Sequence, residues 1–196
     1  MTSLLFACSL LLSTPVEWEA TVGLGGLVWE QPIEQQANLQ SSNMVSWSYR
    51  RSWRGPWWFG TSALYNSYDG REPEFIGPAF WLVDAMAYHR IDLGEWQLNL
   101  GAGPAISLFS ATRIRETVID GVSAGRYTIS FPAIHAGLHG ALLRRVHPRL
   151  MVGVSLRYYT GINWNSCWEG PERDCANVDR QTQHWAFGLS LVLIDP

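Results

Sequence analysis

The side chains that could do chemistry in this chain are few: Glu19, Asp84, Arg90, His135, His139, Arg157 and His184, with the pair Cys167 and Cys175. A histidine with a serine and an acid can drive acyl transfer if nucleophile and base come within hydrogen-bond reach. No short Ser motif accompanies His184, and His147 sits in a tight Val146-His147-Pro148 connection. Glu19, Asp84, Arg90, His135, His139 and Arg157 all fall on the less apolar parity of alternating stretches. Charges gathered on one enclosed face must pair, because an orphan charge away from water is costly. The set therefore reads as a structural cluster of opposite charges, with Asp84, His135 and Arg157 at mid-depth and His139 lower. No enzymatic activity is expected.

Cys167 and Cys175 flank Trp168-Glu169-Gly170-Pro171-Glu172-Arg173-Asp174, a segment whose Gly-Pro turn would bring the two thiols together. In an oxidising compartment that spacing predicts a disulfide. A Cys-Cys-His metal site would lack a fourth ligand, so no metal is expected. Gly23-Leu24-Gly25-Gly26 and Gly101-Ala102-Gly103 open no helix, which sets aside a nucleotide loop and leaves small residues in a crowded wall. No cofactor is implied.

The elements that must position these residues are strands. Apolar residues recur on one parity in eight successive stretches, as period-two faces require. The first runs Trp18, Ala20, Val22, Leu24; the fifth Trp96, Leu98, Leu100, Ala102, Ile106, Leu108; the eighth Trp185, Phe187, Leu189, Leu191, Leu193. Trp29 breaks the parity of the first stretch unless Gly25-Gly26 hosts a bulge. Connections alternate as well. Those at Arg54-Gly55-Pro56, Asp92-Leu93-Gly94 and Val146-His147-Pro148 are tight, and those around residues 31–42, 67–75, 110–125 and 163–181 are long and polar.

Composition places such strands. The chain is 47% hydrophobic, 13% aromatic and 16% charged, with eleven Trp in 196 residues. The usual charged share is about 25%. No apolar run reaches the length of a transmembrane helix, so a membrane reading requires a closed sheet. Net charge is −3, and the basic residues, all Arg, form no block that would suit nucleic acid. Leu4-Leu5-Phe6-Ala7-Cys8-Ser9-Leu10-Leu11-Leu12 has the apolar centre of a secretory signal, so residues 1–15 are expected to be a leader and 16–196 the barrel.

Stretches such as Trp96-Gln97-Leu98-Asn99-Leu100-Gly101-Ala102-Gly103 and Leu150-Met151-Val152-Gly153-Val154-Ser155-Leu156-Arg157-Tyr158-Tyr159 resemble the small eight-stranded outer-membrane barrels, of the OmpA transmembrane-domain and OmpX kind. The resemblance covers about residues 16 to 195. It implies an all-β, antiparallel, up-and-down transmembrane barrel with short periplasmic turns and long outer loops, located in the bacterial outer membrane. With nothing after the eighth strand, no attached peptidoglycan-binding domain is expected. Trp18, Trp57 and Trp96 near the tight turns, and Tyr65, Phe109, Trp164 and Trp185 near the long loops, are expected to form two aromatic girdles.

The competing architecture is a soluble lipocalin-like barrel, apolar inside and polar outside. Gly, Ser and charge share one face here, aromatics gather at strand ends, and an early G-x-W and a C-terminal helix are missing. These features favour the membrane. The functional expectation is a monomeric barrel with a side-chain-plugged lumen, a structural or surface-interaction role through its outer loops, and membrane lipid as its partner. The alternatives are a narrow channel past Asp84 and Arg157, then a lipid-modifying enzyme.

Overall fold

The computed structural model describes residues 17–30, 39–70, 75–115, 125–163, 166–169, 173–176 and 180–195. The expected leader, residues 1–15, and Trp164 lie outside the described residues. Ten strands follow in order: β1 (Trp18–Glu30), β2 (Leu39–Arg54), β3 (Trp57–Gly70), β4 (Phe75–Leu93), β5 (Trp96–Arg115), β6 (Gly125–His147), β7 (Leu150–Asn163), β8 (Ser166–Glu169), β9 (Arg173–Ala176) and β10 (Arg180–Asp195). Eight of them, β1 to β7 and β10, pair antiparallel with their neighbours, and β5–β6 pairing closes the ring. The β8–β9 hairpin attaches to the far end of β6.

Closure is staggered. From Gly23 the register partners run Ser46, Leu64, Leu82, Ser107, Ala133, Asn163 and Arg180, while Gly23 itself also faces Ser190. One circuit thus shifts the register by ten residues (190 − 180). Ten residues of about 3.3 Å over eight strands about 4.8 Å apart give a tilt of about 40° and a backbone radius of about 8 Å.

The expected parity holds around the ring. Val22, Leu24, Trp47, Phe59, Val83, Leu100, Ile106, Leu138, Val154, Leu156, Phe187 and Leu189 all face outward and are exposed. Their strand neighbours Ser46, Ser48, Ser62, Asp84, Asn99, Ser107, His135 and Arg157 are buried inside. Gly55 and Gly94 take positive φ in the first two tight turns, where a left-handed residue lets the chain reverse.

Three expectations change. There is no bulge at Gly25-Gly26: the β1–β10 register runs unbroken from Trp18 to Glu30, so Leu27 faces the lumen and Val28 the exterior. Phe109 is not a girdle residue. It follows outward-facing Leu108, and is therefore turned into the lumen, where it is 2% exposed against Phe131. The expected connection 110–125 begins and ends in strand, since β5 and β6 stay paired from Ser110↔Ser130 to Arg115↔Gly125, and residues 116–124 lie outside the described residues. Continuing the ladder satisfies backbone groups that an irregular loop would leave to water.

Candidate functional site: the barrel lumen

Because successive side chains alternate, each strand sends every second residue into a bore about 16 Å across between backbones. Two tyrosines fit flat there because glycine is their cross-strand partner. Gly101 faces Tyr88 and Gly137 faces Tyr159. A Cβ at Gly101 would sit 2.5 Å from the Tyr88 ring, and one at Gly137 2.8 Å from that of Tyr159.

Near the tight turns, Glu19 lies 3.6 Å from Arg50 and is bonded by Arg90, which also reaches Glu17 at 3.5 Å. Arg90 stacks 3.7 Å over Trp58, and the amides of Gln97 and Asn99 meet at 2.9 Å beside the group. Across the bore at this end are Ala141, Leu143, Met151, Val192 and Ile194.

The middle layer centres on Asp84. Its carboxylate accepts hydrogen bonds from Ser62 N at 3.1 Å, Ser62 Oγ at 2.6 Å and Tyr159 Oη at 2.6 Å. Arg157 lies 3.8 Å away and donates to Ser62 Oγ at 2.7 Å, with both charged side chains within 5% of full burial. Strands β4 and β7 are thus tied across the bore. Arg50 adds a cation 4.5 Å over the Tyr88 ring. His139 packs edge-on to Tyr88, and neither of its ring nitrogens has a hydrogen-bond partner among the described residues.

Towards the far end, His135 Nε2 and Ser107 Oγ are 2.7 Å apart, and the His135 and His184 rings lie 4.9 Å apart. This Ser–His contact escaped sequence reasoning because the residues are 28 positions apart, and only the β5–β6 register brings them together. Among the described residues the pair lacks the third member of a hydrolytic triad. Both residues are 3% exposed, and His135 Nδ1 has no hydrogen-bond partner among the described residues to orient the ring as a base. Beside the polar groups runs an apolar wall of Leu27, Met44, Leu64, Phe80, Leu82 and Phe109, all buried.

Of the residues singled out from the sequence, Glu19 and Arg90 form one group, and Asp84 and Arg157 another. His135 joins Ser107 and His184, and His139 packs on Tyr88. On the exterior, Trp18, Trp57 and Trp96 stand at the tight-turn end; Trp57 and Trp96 meet His89 and Arg144 respectively. Tyr65 pairs with Trp81 and Trp185 with Tyr158 towards the other end. Trp57 and Tyr65, eight residues apart on β3, are separated by about 20 Å along the axis. The backbones of Cys167 and Cys175 are register partners in the β8–β9 hairpin; their side chains lie outside the described residues.

A closed barrel with charge inside and a continuous apolar exterior is a membrane barrel, because only lipid can cover that surface without penalty. The structural comparisons give the same class. The chain is similar to a major outer membrane protein from Thermus thermophilus, with a TM-score of 0.68 at 9% identity, covering 93% of this chain and 100% of that one. It is also similar to Neisserial surface protein A, with a TM-score of 0.57 at 12% identity, covering 92% and 99%. Ail, the attachment invasion locus protein of Yersinia pestis, superposes with a TM-score of 0.52 at 12% identity, covering 91% and 99%. No protein-family model matches the chain, and no curated protein matches it. The fold is that of the small eight-stranded outer-membrane barrels.

Proposed function

We propose that this chain is a non-enzymatic outer-membrane barrel with a sealed lumen, whose outward strands and loops form a surface for interaction. The observation that carries the reading is the Asp84 layer. The Asp84 and Arg157 charges are spent on one another and on Ser62 and Tyr159, so neither is turned towards a passing solute. Above it, Leu27, Leu64, Phe80, Leu82 and Phe109 place apolar side chains where a channel would need a wetted path. The seal of this reading is therefore mixed, ionic at mid-depth and apolar towards the outer side.

An interaction role draws support from the paired extension of β5 and β6, which carries the sheet up to Arg115↔Gly125 and offers β6 as a seat for β8–β9. Reconstitution in planar bilayers tests the sealed lumen. Wild-type protein is expected to insert without steady conductance. A steady, ion-selective current would replace this reading with the narrow channel.

A further inference from the structure

At the tight-turn end, one exterior row of the barrel carries a cation and an anion with no counter-charge among the described residues. Arg51 on β2, Trp18 on β1 and Asp195 on β10 are consecutive register partners, all on the outward parity. Arg51 is exposed and makes no ion pair or hydrogen bond among the described residues, and its neighbours on the outward face are aromatic. Trp18 and Phe59 are its cross-strand partners, and Tyr49 and Trp53 are its outward neighbours along β2. Asp195 accepts a hydrogen bond from Trp18 Nε1 at 2.8 Å and forms no ion pair among the described residues. In the register Trp18 stands between the two charged residues, with the Tyr49 ring stacked on its indole at 6.3 Å.

The row is not level. A register shift of ten residues in eight strands makes each step from β10 to β1 to β2 climb about 3 Å towards the membrane centre. The Arg51 backbone therefore sits about 6 Å deeper than that of Asp195. A phospholipid at this edge presents its groups in a fixed order along the same axis: acyl chains deepest, then the phosphodiester, then the headgroup terminus nearest water. A deep guanidinium and a shallow carboxylate match a phosphate followed by a cation.

We propose that Arg51, Trp18 and Asp195 form a binding site for a phosphatidylethanolamine headgroup of the inner leaflet. This rests on the lipid-facing reading of the exterior. Arg51 takes the phosphate, whose oxygens suit its planar donor fork. Asp195 takes the primary ammonium, and Trp18 fills the space between them and offers its ring to the cation. Phosphatidylcholine has no N–H to give Asp195. Phosphatidylglycerol has no cation for it, and would bring its net negative charge to the carboxylate.

The test is native mass spectrometry of the folded barrel in detergent with an equimolar mixture of phosphatidylethanolamine, phosphatidylglycerol and phosphatidylcholine bearing the same acyl chains. Wild type is expected to retain phosphatidylethanolamine about tenfold or more over phosphatidylcholine, the discrimination expected of one charge-assisted hydrogen bond. Asp195→Asn should abolish that preference while leaving phosphatidylglycerol retention at least as high. Arg51→Gln should lower retention of all three, and Arg51→Lys should restore part of it. Arg54→Gln, which removes another cation of the same rim, should leave the preference intact. Equal retention of the three lipids by wild type, a preference that survives Asp195→Asn, or a loss in Arg54→Gln matching that in Arg51→Gln would overturn the site. Such a result from a folded barrel leaves the membrane reading standing, whereas failure of wild type to insert into vesicles would remove both.

Discussion

Replacing either member of the Asp84–Arg157 pair should destabilise the barrel, and the two replacements should differ. Removing one partner of a buried ion pair costs about 3–5 kcal/mol, because the other charge is stranded. Here the two survivors are left in different states. With Arg157→Met, Asp84 keeps three donors, from Ser62 N, Ser62 Oγ and Tyr159 Oη, at 3.1, 2.6 and 2.6 Å. Hydrogen bonds to a charged group are each worth about 1.5–3 kcal/mol, so the cost should fall to about 2–3 kcal/mol. With Asp84→Asn, the guanidinium keeps the Ser62 hydroxyl at 2.7 Å but loses its counter-charge, in a lumen that also holds Arg50. That change should cost about 4–5 kcal/mol. The double variant should be more stable than the sum of the two predicts, by about 2 kcal/mol. Urea unfolding in phospholipid vesicles, followed by tryptophan fluorescence, measures all four proteins. Additivity within about 0.5 kcal/mol, or Arg157→Met costing as much as Asp84→Asn, would refute the reasoning.

Leu156 is outward-facing near the middle of the apolar band, and Leu156→Arg should cost about 2–4 kcal/mol, against at most about 1 kcal/mol for Val146→Arg at the tight turn, read by the same unfolding assay. His139→Leu should be neutral or stabilise by about 1 kcal/mol, since it removes two ring nitrogens that lack partners, and a loss of stability would show that a hydrogen bond had been made there. Gly101→Ala should cost about 1–3 kcal/mol by pushing Tyr88 off the wall, and pairing it with Tyr88→Phe should not recover that, because the clash is with the ring. Cys167 and Cys175 should form a disulfide in the β8–β9 hairpin, so alkylation of unreduced protein followed by mass spectrometry should find neither thiol free.

Strand number and face were legible because lipid enforces alternation. Leu98, Leu100 and Ala102 must be apolar outside, whereas Gln97, Asn99 and Gly101 need only fit inside. The same constraint lapses beyond the upper aromatic band, where Thr112, Arg113 and Arg115 carry no period, so the upper ladder of β5 and β6 looked like loop. Phe109 shows the cost of trusting residue type over parity, since its neighbour Leu108 already assigned it inward. The lumen's apolar wall was present on the inward parity as Leu64, Leu82 and Met86, but apolar residues on both parities do not by themselves mark which face is enclosed. Pairings such as Ser107 with His135 depend on register, which alternation does not encode. The position of Asp84 opposite Arg157 depends also on the bore being narrow enough for the side chains to meet.

The central claim is an apolar face turned to lipid around a closed, dry lumen, and nitroxide accessibility along β10 tests it most directly. Single cysteines at Phe187, Leu189 and Leu191, and at Ala186 and Ser190, would be spin-labelled in a background with Cys8, Cys167 and Cys175 replaced, then reconstituted in vesicles. The account predicts that labels at 187, 189 and 191 relax strongly with oxygen, which concentrates in lipid, and that those at 186 and 190 respond neither to oxygen nor to a polar paramagnetic reagent. Polar-reagent access at 186 and 190 would contradict the sealed lumen, and polar-reagent access at 187, 189 and 191 would contradict the membrane barrel itself.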